Sequence, residues 1–498
     1  MAGKIITDDA VSTVAKLDLR VRQAASALRS ADLSHRRIAL LLRNDLAFVE
    51  VFESIRFAAA VPVPLNWHCT ASEIAYILDD CGAGALVVHA DLWRRFGPEL
   101  PASLRQQITV FVVPTPPAIA SAYQVEGEDV IRDEEVSLWN AFIDGHEPAE
   151  ASVAGDSAPL IYTSGTTGRP KGVLRKGPVR PKPVGYDALF GSQTKTLMVA
   201  PLYHSAPNRI AFGTFQAGGT LVLPARFDAE STLRLIEQHQ ITTAFMVPTM
   251  FRRLLKLPEG VRRRWDLSSL THVVTAGAPC PAWLKAELIE WWGPVIYEYY
   301  GSTETSALTF CSSSEARARP GTVGRALPFA TVAVYDESGN RCPAGVSGEI
   351  YGGRSDLPDF TYLNREDARE EVGRDGLVTV GDIGFLDEDG YLFLSDRKSD
   401  MIISGGSNIY PAQVEAALLQ HPAVLDCAVF GIPDEDLGEV VAAVIQAIEP
   451  IDDDALRKHL KSLVSTYMLP RRFRYSDRLP RDPNGKLRKG DLRESFRK

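Results

Sequence analysis

Leu160-Ile161-Tyr162-Thr163-Ser164-Gly165-Thr166-Thr167-Gly168-Arg169-Pro170-Lys171-Gly172 carries an apolar strand end into a loop of small hydroxyl and glycine residues that closes on a lysine. Glycines let backbone N–H groups turn toward an anion, hydroxyls donate to phosphate oxygens, and Lys171 supplies a point charge. The loop suits a polyphosphate. It is not the nucleotide P-loop, because Lys171 is preceded by Pro170 and followed by Gly172, with no helix-starting Ser or Thr after it. The competing reading is a flexible Ser/Thr/Gly connector.

On either side of this loop, apolar runs of strand length alternate with amphipathic segments of helix length, the pattern of a parallel sheet covered on both faces. Strands are expected at Ile38 to Leu42, Val61 to Pro64, Ala85 to Val88, Thr109 to Val113, Thr196 to Val199, Thr220 to Leu223, Thr243 to Val247 and His272 to Thr275. Helices are expected over Leu46 to Ala59, Ala229 to His239 and Pro281 to Trp292. Pro114 to Glu150 reads as the loosest stretch. After Ile350, a Gly- and Asp-rich passage leads to a short strand, Tyr391 to Leu394, and then to the charged turn Ser395 to Asp400, which reads as a domain boundary. Beyond it Pro411 sits where a first helical turn tolerates proline, and Val414, Ala417 and Leu418 form an apolar face. Strands Val424 to Phe430 and Val440 to Ile448 and a helix Asp454 to Val464 complete a small α+β unit. The fold class is α/β, with a large domain over residues 1–396 and a small one over 397–498.

The 498 residues suffice for about three domains at about 150 residues each, and a hydrophobic content of 45% fills real cores. Basic residues number 54 and acidic residues 63, a net charge of −9 with no long basic block, so no nucleic acid partner is expected. Cys69, Cys81, Cys280, Cys311, Cys342 and Cys427 fall at wide spacings without a C-x-x-C, which fits a reduced cytoplasm and not a zinc site. Asp8 and Asp9 stand where a signal peptide would place its apolar stretch, and no run reaches 18 apolar residues, so neither export nor an integral membrane segment is expected.

The core Thr163 to Lys171 resembles the phosphate loop of the adenylate-forming superfamily, which contains acyl-CoA synthetases, luciferases and nonribosomal peptide adenylation domains. Further matches follow in the family's order: Pro201-Leu202-Tyr203-His204-Ser205-Ala206, Thr275-Ala276-Gly277-Ala278-Pro279, Tyr300-Gly301-Ser302-Thr303-Glu304, Gly381-Asp382, Asp396-Arg397, Ser404-Gly405-Gly406-Ser407-Asn408-Ile409-Tyr410-Pro411 and Pro483-Asn484-Gly485-Lys486. They span about residues 38 to 490 and are jointly specific. The resemblance implies a small β subdomain within the large domain, a small mobile C-terminal domain, and chemistry in two halves. A carboxylate attacks the α-phosphorus of ATP to give an acyl-adenylate and pyrophosphate; a thiol or amine then displaces AMP.

Residue by residue, the resemblance makes Glu304 the magnesium ligand, with Ser164 also on the metal side, and lets Thr303 reach the α-phosphate. Ser164, Gly165, Thr166, Thr167, Gly168 and Lys171 cradle the phosphates. Tyr300 offers a flat face to adenine beside Gly301, while Gly277, Ala278 and Pro279 border the adenine edge. Asp382 accepts from the ribose hydroxyls, Arg397 contacts ribose or phosphate, and Lys486 bridges the carboxylate and the α-phosphate. His204 positions the acid instead of acting as a base, and Cys280 reads as filler. Pocket walls are expected from Tyr203, Ala206, Pro207, Asn208, Phe245, Met246, Val247, Thr249 and the turn at Gly277. That set is mostly apolar, which favours a hydrophobic acid over an amino acid.

The family alternates its two halves by rotating the C-terminal domain about a hinge, here at Ser399, where many relatives carry Asp or Lys. In the second arrangement Ser404, Gly405 and Gly406 would face the site and admit a pantetheine arm. The expected substrates are a carboxylic acid, ATP with Mg2+, and coenzyme A. Alternatives are an amine acceptor, as in amide-forming ligases similar to coronafacic acid ligase, a carrier-protein thiol, or a non-catalytic nucleotide-binding scaffold. A homodimer would be compatible with the sequence.

Overall fold

The computed structural model describes residues 3–31, 33, 35–126, 136–150, 158–163, 169–177, 189–405, 407–481, 487, 489, 492, 493 and 496. Of the residues singled out above, Ser164 to Gly168, Gly406 and Pro483 to Lys486 lie outside the described residues.

Two parallel sheets share one layer of helices. The first contains, in spatial order, Lys4–Thr7, Thr220–Leu223, Lys195–Met198, Thr243–Phe245, His272–Thr275 and Ile296–Ser302. The second runs Val61–Pro64, Arg37–Leu41, Ala85–His89, Thr109–Val113 and Val136–Leu138. Side-chain alternation divides the cores between the faces of a strand. In Arg37–Leu41, Ile38 and Leu40 join the core that holds Leu197, Leu221 and Val273 of the first sheet, whereas Ala39 and Leu41 join a second core with Ile74 and Leu78. The helices Val14–Ser30, Leu46–Phe57 and Ser205–Gln216 contribute Leu17, Phe48, Phe52 and Phe212 to the shared core.

The first sheet does not stop at its parallel strands. Ile296–Ser302 pairs antiparallel with Ser306–Cys311, and the same sheet continues through Thr322–Ala326, Tyr391–Arg397, Asp382–Leu386 and Gly348–Arg354. This is the small β subdomain. A separate sheet in the C-terminal part joins Ser407–Ile409, Ile402–Ser404, Gly438–Ala447, Val424–Asp434 and Arg472–Tyr475. Its core of Ile402, Val414, Leu418, Cys427, Leu456 and Leu460 shares no residue with the large domain's clusters. Pro411 opens the helix Pro411–Leu418 at its first position, where no backbone N–H is needed.

Two expectations need correction. Pro114 to Glu150 is not structureless where it is described: Pro117–Tyr123 is helical, Val136–Leu138 extends the second sheet, and the helix Trp139–Ile143 is anchored by Trp139, which is buried and donates its indole N–H to Glu50 at 2.9 Å. The strand starting at Tyr391 runs on to Arg397, because Asp396 and Arg397 continue the ladder opposite Ile383 and Asp382. Arg397 thus belongs to the large domain's sheet, Ser399 sits exposed in the following turn, and the small domain's core begins at Ile402.

Candidate active site

The glycine-rich loop is held at both ends by a hairpin. Ile161–Thr163 and Lys171–Arg175 pair antiparallel with Thr163 opposite Lys171, and Phe360–Tyr362 adds a third strand beside Lys171–Arg175. The three strands place cations and hydroxyls beside one carboxylate, that of Glu304. Lys171 Nζ lies 5.0 Å from the centre of the Tyr362 ring. Tyr362 donates its hydroxyl to Glu304 Oε1 at 3.1 Å, and the Thr163 hydroxyl reaches the same oxygen at 3.4 Å. Burial, reinforced by Glu304, pushes the Tyr362 phenol up, so it remains a donor. Glu304 is only 6% exposed yet borders the cavity described below.

The turn that carries Glu304 is fixed from two sides. Arg175 Nη2 donates to the Thr303 carbonyl at 2.9 Å, and the Ser205 and Thr303 hydroxyls are 3.2 Å apart. Burial lowers the Arg175 guanidinium to about 10, with Glu304 opposing the shift, so it stays cationic at neutral pH. Ser205 opens the helix Ser205–Gln216, whose N-cap is His204, with the His204 ring 4.4 Å from that of Tyr203.

A second constellation lies where the sheet changes from parallel to antiparallel. Tyr300 donates to Asp382 Oδ2 at 2.8 Å, and Arg397 Nε is 3.3 Å from Asp382 Oδ1, across the neighbouring strand. Gly301 stands at a register shift; a Cβ there would meet the Ser306 carbonyl oxygen at 2.0 Å. Gly277 follows the strand His272–Thr275 with φ +84°, and a Cβ there would meet open space, so backbone conformation and not crowding calls for glycine. Cys280, three residues further on, is buried, which pushes its thiol well above the ordinary range.

All of these groups border one cavity of about 1580 Å³. Thr163, Lys171, Tyr203, His204, Ala206, Asn208, Gly277, Ala278, Pro279, Tyr300, Gly301, Thr303, Glu304, Asp382 and Arg397 line it, and they come from the carboxyl ends of parallel strands and from the β subdomain. The small domain closes another side with Ala412, Gln413, Arg481, Leu487 and Lys489. Arg481 and Leu487, which bracket 482–486, form an antiparallel bridge. Ser404 and Gly405 lie away from the cavity, where Ser404 pairs with Gly438 and the Gly405 N–H donates to the Leu437 carbonyl.

The expected acid pocket is partly corrected. Phe245, Met246 and Val247 are at most 1% exposed and do not reach the cavity, because their strand is central in the sheet and both faces feed the core. Pro207 and Thr249 do not line it either. Phe52, Arg56, Arg209 and Phe212 do, with the Phe52 and Phe212 rings stacked at 4.0 Å. Sequence reading missed these, and also Arg175 and Tyr362. The cavity-lining set Ser205, Arg209, Phe212, Gly213 and Gln216 has helical spacing and becomes legible once Ser205 is read as a helix start. Arg175 lies four residues after Lys171 on one strand and therefore on the same face.

Comparison with known proteins gives a consistent result. The model of AMP-binding enzymes matches residues 4–356, and that of the AMP-binding enzyme C-terminal domain matches residues 413–486. The chain is 34% identical over 493 residues to a feruloyl-CoA synthase from Amycolatopsis sp, covering 97% of this chain and 94% of the relative. Among solved structures it is similar to the amide bond synthetase McbA from Marinactinospora thermotolerans, with TM-score 0.80, 25% identity and 100% and 97% of the two chains covered. It is also similar to o-succinylbenzoate coenzyme A synthetase from Bacillus subtilis in complex with ATP and magnesium ion, with TM-score 0.79, 27% identity and coverage of 100% and 97%.

Proposed function

This chain belongs to the family of AMP-binding enzymes, and from that premise we propose that it activates a hydrophobic carboxylic acid with ATP and transfers the acyl group to coenzyme A. The observation that carries this reading is the convergence of Thr163, Lys171 and Glu304 on a cavity that is also lined by Arg481 and Leu487, the residues that bracket the segment carrying Lys486. In this reading the glycine-rich loop and Lys171 hold the β- and γ-phosphates, Thr303 reaches the α-phosphate, and Tyr300 and Gly277 to Pro279 enclose the adenine. Asp382, held by Tyr300 and Arg397, accepts from the ribose. His204 and Tyr203 orient the acid, and Lys486 bridges its carboxylate to the α-phosphate. The acid oxygen then displaces pyrophosphate; in the second half the thiolate of coenzyme A attacks the acyl carbon and AMP leaves.

Glu304 suits a magnesium ion, being a hard carboxylate edged by neutral hydroxyls from Thr163 and Tyr362. Among the described residues no cluster of three or more His, Cys, Asp or Glu side chains could form a protein cage. Glu304, with Ser164 as a further donor, would hold the ion beside the phosphates, where it would supply charge neutralisation. The stacked Phe52 and Phe212 rings favour a planar or apolar acid, which accords with the relation to a feruloyl-CoA synthase.

The test is pyrophosphate–ATP exchange across a panel that begins with aromatic acids. Exchange with at least one acid is expected, and silence with every acid would defeat the reading. The likeness to an amide bond synthetase supports a second reading in which an amine replaces the thiol. AMP release driven by amines but not by coenzyme A would select it.

A further inference from the structure

The small domain is tied to the large one by a cluster of charges that the chemistry above does not use. Arg252 projects from the large-domain helix Pro248–Leu255, and its side chain is only 8% exposed. It donates through Nη2 to the carbonyl of Leu425, and Nη1 lies 3.5 Å from Asp426 Oδ1. Lys256, just past the same helix, donates to the Pro422 carbonyl at 2.9 Å. Within the small domain, Arg481 Nε donates to Asp426 Oδ2 at 2.6 Å, and Arg481 Nη2 donates to Asp426 Oδ1 at 3.0 Å and to the Cys427 carbonyl at 2.8 Å. Asp426 thus stands between a guanidinium of each domain. Arg481 in turn forms the base, with Leu487, of the segment that carries Lys486.

We propose that Arg252 is a positioning residue: through Asp426 and Arg481 it registers the base of the Lys486 segment against the cavity, and it does so only in the domain arrangement seen here. The inference rests on the adenylation reading, since it deepens the role given to Lys486. The Arg481–Asp426 pair lies inside the small domain and travels with it. Contacts of Arg252 and Lys256 cross between the domains and must break when the small domain turns away. Removing Arg252 therefore lowers the population of the arrangement that serves the first half-reaction without touching a group that the second half needs.

Arg252→Met, Arg252→Lys and wild type are compared in both halves: pyrophosphate–ATP exchange with an acid that the wild type accepts, and thioester formation from supplied acyl-adenylate and coenzyme A. Exchange should fall by about 10²-fold in Arg252→Met, the size of effect that misplacement of a reacting group produces. Thioester formation should be unchanged, and Arg252→Lys should recover part of the exchange. Equal loss in both halves, or unchanged exchange, overturns the proposal. Should Arg252→Met fail to fold, Lys256→Met, which removes the other contact that crosses between the domains, must give the same split. Silence of the wild type with every acid would instead defeat the functional reading. In that event hydrogen exchange over 248–255 still decides the clamp: lost protection in Arg252→Met is expected, and equal protection overturns it.

Discussion

Glu304 concentrates the electrostatics of the cavity, because Thr163 and Tyr362 both donate to one of its oxygens while Lys171 packs on the Tyr362 ring. Glu304→Gln preserves shape and removes the charge. Pyrophosphate exchange should drop by about 10²–10³-fold, the cost typical of losing a preorganised electrostatic stabiliser, and a magnesium titration should show a raised requirement. Wild-type exchange at every magnesium concentration would contradict the role. Gly301→Ala should destabilise the protein by about 1–3 kcal/mol, since the added methyl runs into backbone at Ser306 and not into a flexible side chain. Thermal unfolding measures this, and an unchanged midpoint would contradict it. At this scale the legible residues were those in short motifs, such as Tyr300, Glu304 and Asp382, whose neighbours in sequence are also neighbours in space. Phe52 and Phe212 were illegible because their meeting depends on how two helices from distant segments cross between the sheets.

Elements were easier to read than contacts, as the continuous apolar run in Arg37–Leu41, buried on both faces, and proline at the start of Pro411–Leu418 leave a direct trace in the order of residues. What the pattern could not give was the end of Tyr391–Arg397, because its last residues are charged and owe their pairing to Asp382–Leu386. That strand end also holds a titrating link. Asp396 accepts from the Ala412 N–H at 2.7 Å, at the first turn of the helix Pro411–Leu418, and burial raises its carboxyl from 3.8 to about 6 despite the pull of Lys489. A carboxyl raised in the folded state binds more protons there than when unfolded, so stability falls as pH rises between about 4 and about 6, and the ionised side chain is a cost above that window. Asp396→Asn keeps an acceptor for Ala412 and loses the charge. Its melting temperature should exceed that of wild type at about pH 8, with the gap closing toward about pH 4. An equal difference at both pH values would count against the assignment.

For the whole molecule, separate cores predict separate melting. The small-domain cluster around Val414 and Leu456 shares no residue with those of the large domain, and the two meet through polar contacts such as Arg252 with Asp426 and Lys256 with the Pro422 carbonyl. Calorimetry should therefore resolve more than one transition. A single transition with equal calorimetric and van't Hoff enthalpies would contradict this. In contrast, the sheet that carries Tyr300 runs unbroken to the strand that carries Asp382, so the two ends of a bound nucleoside would rest on one plank. On the proposed two-half reaction these features would divide labour between a fixed bench and a swinging shutter. A molecule lying on the bench would keep its seat while the shutter moves, and the escape of anything inside would be timed by the shutter and not by the bench.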